Sequence, residues 1–234
     1  MTMNLAIMQP YFFPYIGYFQ LLGNVEKFVF YDDVNFIKQG WINRNRICTA
    51  GNVKYITVPT RNGGSFVKIC EVEIDARAPW QRKILGSVAH SYGKAPFFRS
   101  VYGLVEEVLS GHEVSISDLA KASVMRIARH LGIEVEFRMT SSDYGNQQLR
   151  GAERVLDICH REHASQYTNL PGGKSLYDQE CFSRQGLALR FVDTRLDTYR
   201  QPGSAEFVPA LSIIDVLMHN SVSDVRKMLE CGVG

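Results

Sequence analysis

Long apolar runs, paired cysteines and an excess of either charge are all missing from this 234-residue sequence. No continuous apolar stretch reaches the roughly 18 residues that a membrane-spanning helix needs, so none is expected. Residues 1–30 lack the basic start and unbroken apolar segment of a signal peptide, because Gln9, Pro10, Pro14 and Gly17 interrupt it. The five cysteines (Cys48, Cys70, Cys159, Cys181, Cys231) are odd in number, widely spaced and never C-x-x-C. That suits reduced thiols in the cytoplasm better than a disulfide framework. Lys and Arg number 26 against 24 Asp and Glu, a formal charge of +2. Such a balance exerts no general pull on nucleic acid, so any basic function must be local. Also missing are G-x-S-x-G, H-E-x-x-H, G-x-G-x-x-G and the kinase set, which leaves serine hydrolase, zincin, dinucleotide oxidoreductase and kinase readings without support.

What is present is the composition of a soluble globular chain, 45% hydrophobic and 21% charged, with an aromatic excess of 11 Tyr, 13 Phe and 2 Trp crowded toward the N-terminal half. Leu5–Met8, stopped by Pro10, reads as a buried strand. Tyr15–Leu22 has apolar residues at helical spacing and ends at Gly23-Asn24; Lys27–Tyr31 reads as a second buried strand. Strand, turn, helix and strand in that order form the βαβ unit of a parallel sheet. Residues 53–58 and 66–74 read as strands of an antiparallel hairpin turned at Arg61-Asn-Gly-Gly64, since Asn-Gly supplies positive φ. Helices are expected over 80–92, 97–109, 117–131, 150–163, 177–184, 209–218 and 223–229, with strands over 133–139, 166–169 and 187–192. No repeat or composition break divides the chain. The expectation is one α/β domain over residues 1–234: a mostly parallel, Rossmann-like and nucleotidyltransferase-like sheet with flanking helices, an inserted β-hairpin and C-terminal helices.

Two constellations could carry chemistry. Gln9-Pro-Tyr-Phe-Phe-Pro-Tyr-Ile-Gly-Tyr-Phe19 sits where the first strand meets the first helix, the place where open parallel sheets bind ligands. Gln9, Tyr11, Tyr15 and Tyr18 offer donors and ring faces, and Gly17 permits close approach. The plainer alternative is a packed aromatic plug. After the second strand come Asp32 and Asp33, then Gln39-Gly-Trp-Ile-Asn-Arg-Asn-Arg46. Tandem acids there could act as a base, hold a divalent metal or accept ribose hydroxyls. Gln39, Trp41, Asn43, Arg44 and Arg46 could bind substrate, the guanidiniums clamping phosphate or carboxylate, unless the segment is a solvated polar loop. Lys94, at a helix end, could meet phosphate as a point charge or simply neutralise the helix dipole. Cys159-His160 with His163 lacks a second ligand pair, so no metal site is assigned there. Leu170-Pro-Gly-Gly-Lys-Ser lacks P-loop spacing and supports a phosphate cradle only weakly.

Taken together, Met8–Phe19, Asp32-Asp33, Gln39–Arg46, Ser91-Tyr-Gly-Lys-Ala-Pro-Phe-Phe98, Tyr167–Asp178 and Leu211–Leu217 make the chain resemble the WbqC-like family over nearly its whole length. One departure is Ile84, where His is expected after Lys83. The resemblance implies a setting in bacterial O-antigen and other surface-polysaccharide gene clusters, without an established reaction. A second likeness is to the H-x-G-H turn of nucleotidyltransferases and pantothenate-synthetase-like ligases, with Tyr15, Gly17 and Tyr18 in that region, a shortened spacing and no His. The resulting expectation is an enzyme acting on a nucleotide-linked amino sugar, with (amino)acyl transfer dependent on ATP or on a carrier. In that expectation Asp32 or Asp33 is the base or metal ligand, and the partner is a nucleotide-linked sugar or an acyl donor. The alternative is a non-catalytic scaffold that docks through the aromatic turn; self-association is left open.

Overall fold

The computed structural model describes residues 3–234. Its framework is a five-stranded, wholly parallel sheet built from β1 (Asn4–Met8), β2 (Lys27–Phe30), β5 (Glu136–Arg138), β6 (Gln166–Asn169) and β7 (Ala188–Phe191), in the order β5-β2-β1-β6-β7. β1 feeds α1 (Ile16–Leu22), which returns to β2 beside β1, so the βαβ unit expected at the N-terminus is present. Because side chains alternate across a strand, Ala6, Phe28 and Phe30 enter one hydrophobic core while Leu5, Ile7 and Val29 enter the other.

The larger core is closed by α1, α2 (Trp80–Tyr92), α3 (Phe98–Leu109), α4 (Ile116–Leu131), α7 (Ile213–His219) and α8 (Val222–Leu229). The smaller is closed by α5 (Gly151–Arg161) and α6 (Gln179–Arg184). Ile84, the departure noted above, is a buried residue of the larger core. α4 shows how local chemistry sets an element. Ser115 caps its N-terminus by accepting from the Asp118 N–H at 3.1 Å, and Gly132 stops it at φ 67°.

The hairpin lies one strand earlier than expected. β3 (Arg44–Thr49) pairs antiparallel with β4 (Asn52–Thr57) through Ala50 and Gly51, both at positive φ (48° and 81°). Residues 66–74 instead form a single 3₁₀ turn, Ile69–Glu71, with an isolated bridge from Thr60 to Ile74. Asn62 makes no tight turn; its side chain donates to the Glu71 carbonyl at 2.9 Å and accepts from the Glu73 N–H at 2.8 Å. The polar stretch around Arg44 is therefore half a hairpin rather than a solvated loop. It alternates side by side: Asn45 and Ile47 point inward, Arg44 and Arg46 lie half-buried.

The sheet order has a functional consequence. The chain steps from β1 to β2 and β5 on one side, then to β6 and β7 on the other, so the order reverses between β1 and β6. At such a switch point the two carboxyl-end loops part and leave a crevice.

Candidate functional site

The crevice is occupied by a cavity of about 580 Å³. Its floor is Ile7, Met8 and Gln9 from the end of β1, with Asn169 and Leu170 from the end of β6. One wall is Tyr11, Pro14 and Tyr15 from the N-terminal turn; another is Ile37, Trp41, Asn45 and Arg46 from β3 and the segment before it. Tyr31, Gly172, Gly173, Leu176, Tyr177 and Ala210 complete it.

The aromatic turn is held from several sides. The Phe12 N–H donates to the Trp41 carbonyl at 2.9 Å, and Asn45 Nδ2 donates to the carbonyls of Phe12 (3.0 Å) and Phe13 (2.8 Å). Phe13 sits at φ 41°, left-handed and unusual for a bulky residue. Its N–H is taken by Ser123 Oγ at 2.9 Å, and its carbonyl accepts from Ser212 Oγ at 2.8 Å. The Pro14 carbonyl accepts from the Ile213 N–H at 2.9 Å. A turn tied to β3, α4 and α7 presents its side chains in a fixed arrangement, which is what a binding wall requires.

Within that wall Tyr15 lies across Gly17. A Cβ on Gly17 would stand 2.4 Å from the Tyr15 ring, so glycine here serves the tyrosine. On the opposite side Gly173 plays a like part, since a Cβ would stand 2.6 Å from Asn169 Nδ2. Asn169 Oδ1 accepts from the Leu170 N–H at 2.7 Å and its Nδ2 donates to Tyr167 at 3.1 Å.

Electrostatically the cavity is simple. Among the described residues that line it, Arg46 is the one side chain with a permanent charge. Its guanidinium lies 5.4 Å from the centre of the Trp41 ring, and one Nη2 N–H goes to the Ala210 carbonyl at 2.9 Å. Its buried Nε has no partner. The tyrosines stay neutral donors: burial raises the phenol pKa of Tyr11 and of Tyr177, and burial plus the nearby Tyr11 raises that of Tyr15. Burial also raises Tyr31, partly offset by the Arg154 guanidinium 4.9 Å from its ring centre.

The expected site residues divide sharply. Gln9, Tyr11, Tyr15, Trp41 and Arg46 line the cavity together. Tyr18 is wholly buried behind it, its hydroxyl donating to the Gln9 carbonyl at 2.8 Å. Asn43 closes the hairpin by donating to the Val58 carbonyl at 2.9 Å. Arg44 stacks on Tyr55 at 4.4 Å and donates to the exposed Gln39's carbonyl, so neither Arg44 nor Gln39 is in the lining. Lys94 is exposed after α2 and lies outside it as well.

The two acids are closed off. Asp32 is ion-paired with Lys121 at 2.6 Å and also accepts from Ser117, Thr140 and the Ser141 N–H. Asp33 is paired with Arg154 at 2.5 Å and bonded by Ser141. Both carboxylates are buried with these partners saturating them, so neither offers a free edge to a substrate or a metal ion. Burial pushes Asp33 up, but the bonds from Arg154 and Ser141 outweigh it and hold its pKa below the ordinary carboxylate range. Among the described residues no group of three His, Cys, Asp or Glu is arranged to hold a metal. Cys159 is buried, its thiol pushed up to about 12 by burial, while His160 and His163 are exposed.

Tyr31, Asn45, Asn169 and Tyr177 are the polar lining residues that sequence reasoning did not select. Their signal was faint: Tyr31 immediately follows β2, and Asn169 precedes the Leu-Pro-Gly-Gly segment noted only as a weak phosphate cradle. No helix among the described residues is long and apolar enough to cross a membrane.

The model of the WbqC-like protein family matches residues 9–227, and the chain belongs to that family. An uncharacterized protein of Mycobacterium tuberculosis is similar, 30% identical over 220 residues that cover 92% of this chain and 93% of the relative. No solved structure matches the chain.

Proposed function

We propose that this WbqC-like protein is a cytoplasmic enzyme of surface-polysaccharide synthesis that binds a nucleotide-linked amino sugar in the switch-point cavity and acylates it with an ATP-activated or carrier-borne donor. The observation that carries this reading is a preformed, aromatic-lined cavity at the switch point with Arg46 as the one cation among its described lining residues. Arg46 would meet a phosphate through the guanidinium N–H groups that the Ala210 carbonyl leaves free. Trp41 and Tyr15 provide faces on which a sugar or base can stack. Gln9, Tyr11 and Tyr31 can donate hydrogen bonds to hydroxyls and to a carbonyl. Catalysis by such a site rests on positioning and on polarising the acyl carbonyl with neutral donors.

That same equipment favours a second reading, a binding protein of the pathway with no chemistry of its own. The described lining holds no Asp, Glu, His, Lys or Cys to take a proton from an attacking amine. Titration calorimetry with ATP and a panel of nucleotide-linked sugars, followed by mass spectrometry of mixtures supplied with amino acids and ATP, separates the two. Binding that weakens at least tenfold in Arg46→Gln, together with a mass gain on the sugar, supports the enzyme. Binding without product favours the second reading. No binding by well-folded protein sinks both.

A further inference from the structure

The mouth of the cavity carries more exposed hydrocarbon than a polar ligand needs. Ile37, Trp41 and Leu176 all line it, yet they are 53%, 38% and 68% exposed. Ile37 and Trp41 come from the segment leading into β3, Leu176 from the 3₁₀ turn after β6, so the apolar rim is contributed by both walls of the crevice. Below the rim the floor is apolar again, with Ile7 and Leu170 buried and Met8 half-buried. Clustered exposed hydrocarbon that continues into a cavity marks a binding site. Its shape constrains the occupant, because Ile37 and Leu176 offer hydrocarbon without a donor or acceptor, as the edge of a nucleobase would require. Arg46 supplies the complementary charge at one place within the same enclosure.

We propose that the cavity takes a ligand in which a hydrocarbon chain adjoins a phosphate, the phosphate on Arg46 and the chain between Ile37, Trp41 and Leu176. This rests on the reading of the cavity as the ligand site, and it specifies the donor half of the proposed reaction as an acyl group carried on phosphate: the sugar amine attacks the acyl carbonyl, the C–O bond to phosphate breaks, and the phosphate leaves with that electron pair as the amine gives up its proton. The chemistry could come from a soluble donor or from a membrane lipid phosphate, and the experiment separates them.

The probes are inorganic phosphate and n-butyl, n-hexyl and n-octyl phosphate, each below its micelle concentration. Calorimetry on the native chain is paired with fluorescence of Trp41 in a Trp80→Phe variant, which removes the other tryptophan. Each methylene covered by the rim should tighten binding roughly fourfold, the equivalent of ~0.8 kcal/mol, until the chain outgrows the mouth. The double variant Ile37→Ser/Leu176→Ser should flatten that dependence while leaving inorganic phosphate unchanged. Arg46→Gln should weaken every member by a similar factor, about tenfold. Equal affinity for phosphate and octyl phosphate, or a chain-length dependence that survives the double variant, overturns the proposal. Co-sedimentation with phosphatidylcholine vesicles containing dihexadecyl phosphate assigns the chain to a lipid; binding confined to the monomeric series assigns it to a soluble donor. A nucleotide-linked sugar that binds while the alkyl series stays flat removes this inference and leaves the proposed function standing. The converse result removes the nucleotide sugar and keeps the chain-bearing phosphate.

Discussion

Two polar clusters stand at the carboxyl ends of neighbouring strands, one after β1 and one after β2, and they have opposite characters. Around Asp32 and Asp33 every carboxylate oxygen has a partner, cations included, and water is excluded. Around Gln9 the backbone of the turn is also tied down, but the side chains of Gln9, Tyr11, Tyr15 and Arg46 line a cavity with hydrogen-bonding groups to spare. Residue type does not separate a binding site from a structural network; unspent hydrogen-bonding capacity facing a void does. Asp32 and Asp33 tie the end of β2 to α4, α5 and the turn after β5, and so hold the wall against which the open cluster is built.

The largest effect should come from opening the closed cluster. Lys121→Met leaves Asp32 buried without its cation, which should cost about 3–5 kcal/mol, read as a lower urea midpoint. Adding Asp32→Asn should restore a large part of that loss, because the uncompensated charge is then gone. A Lys121→Met protein of unchanged stability that no longer binds ligand would break the comparison and return Asp32 to the site.

Acid should act on the same side of the divide. Asp33 is held below its ordinary pKa, and so is Glu162, where burial pushes up but Lys27 at 2.8 Å and the Tyr144 hydroxyl at 2.6 Å pull down further. A carboxylate with a depressed folded pKa stabilises the fold above its unfolded value, near 4, and loses that contribution as pH falls through the folded value. The contribution of these two carboxylates should therefore be level from pH 7 to about 5 and fall below about 4. The acid arm should be shallower in Asp33→Asn and in Glu162→Gln, in melts recorded across that range.

How far these clusters were legible in the sequence follows from the range of the interactions that make them. Local rules located β1, α1, β2 and β6 closely: Leu5–Met8 stops before Pro10, and Gln166–Asn169 is bounded as expected. The Gln9–Phe19 turn was legible as a site because a strand, two prolines and a helix start fall within a few residues. Four things were not. The hairpin moved because Ala50-Gly51 turns the chain while Asn62 spends its side chain on the backbone, a choice that tertiary bonds to Glu71 and Glu73 decide. Asn45 looked like part of a polar run, but its amide enters the core to bond two carbonyls of the turn. Asp32 and Asp33 looked free because Lys121 and Arg154 are about 90 and 120 residues away along the chain. The far wall of the cavity, from Asn169 to Tyr177, depends on β6 lying beside β1, which local pattern does not specify.

A medium effect should come from within the open cluster. Gly17→Ala places a methyl group where the Tyr15 ring lies, 2.4 Å from its nearest carbon. Overpacking of this kind costs about 1–3 kcal/mol, and the displaced ring should also weaken ligand binding. Gly17→Ala with Tyr15→Ala should recover the stability but not the binding, a pattern that thermal melts and calorimetry on the same samples would record. Equal loss of stability in the single and double variants would mean that the clash lies elsewhere.

The finest distinction is between two tyrosines of one turn, 5.7 Å apart between ring centres. The Tyr18 hydroxyl is spent on the Gln9 carbonyl and its ring is buried among Phe19 and Phe28. Tyr11 lies in the cavity wall. Tyr18→Phe removes the donor to the half-buried Gln9 carbonyl and should cost about 1 kcal/mol of stability, with binding weakened only as far as Gln9 shifts. Tyr11→Phe should leave stability within about 0.5 kcal/mol and weaken binding severalfold, because the lost donor is one that only a ligand would use. If the two variants exchange these signatures, the division between spent and unspent donors fails at its closest pair, and the aromatic turn is packing on both its faces.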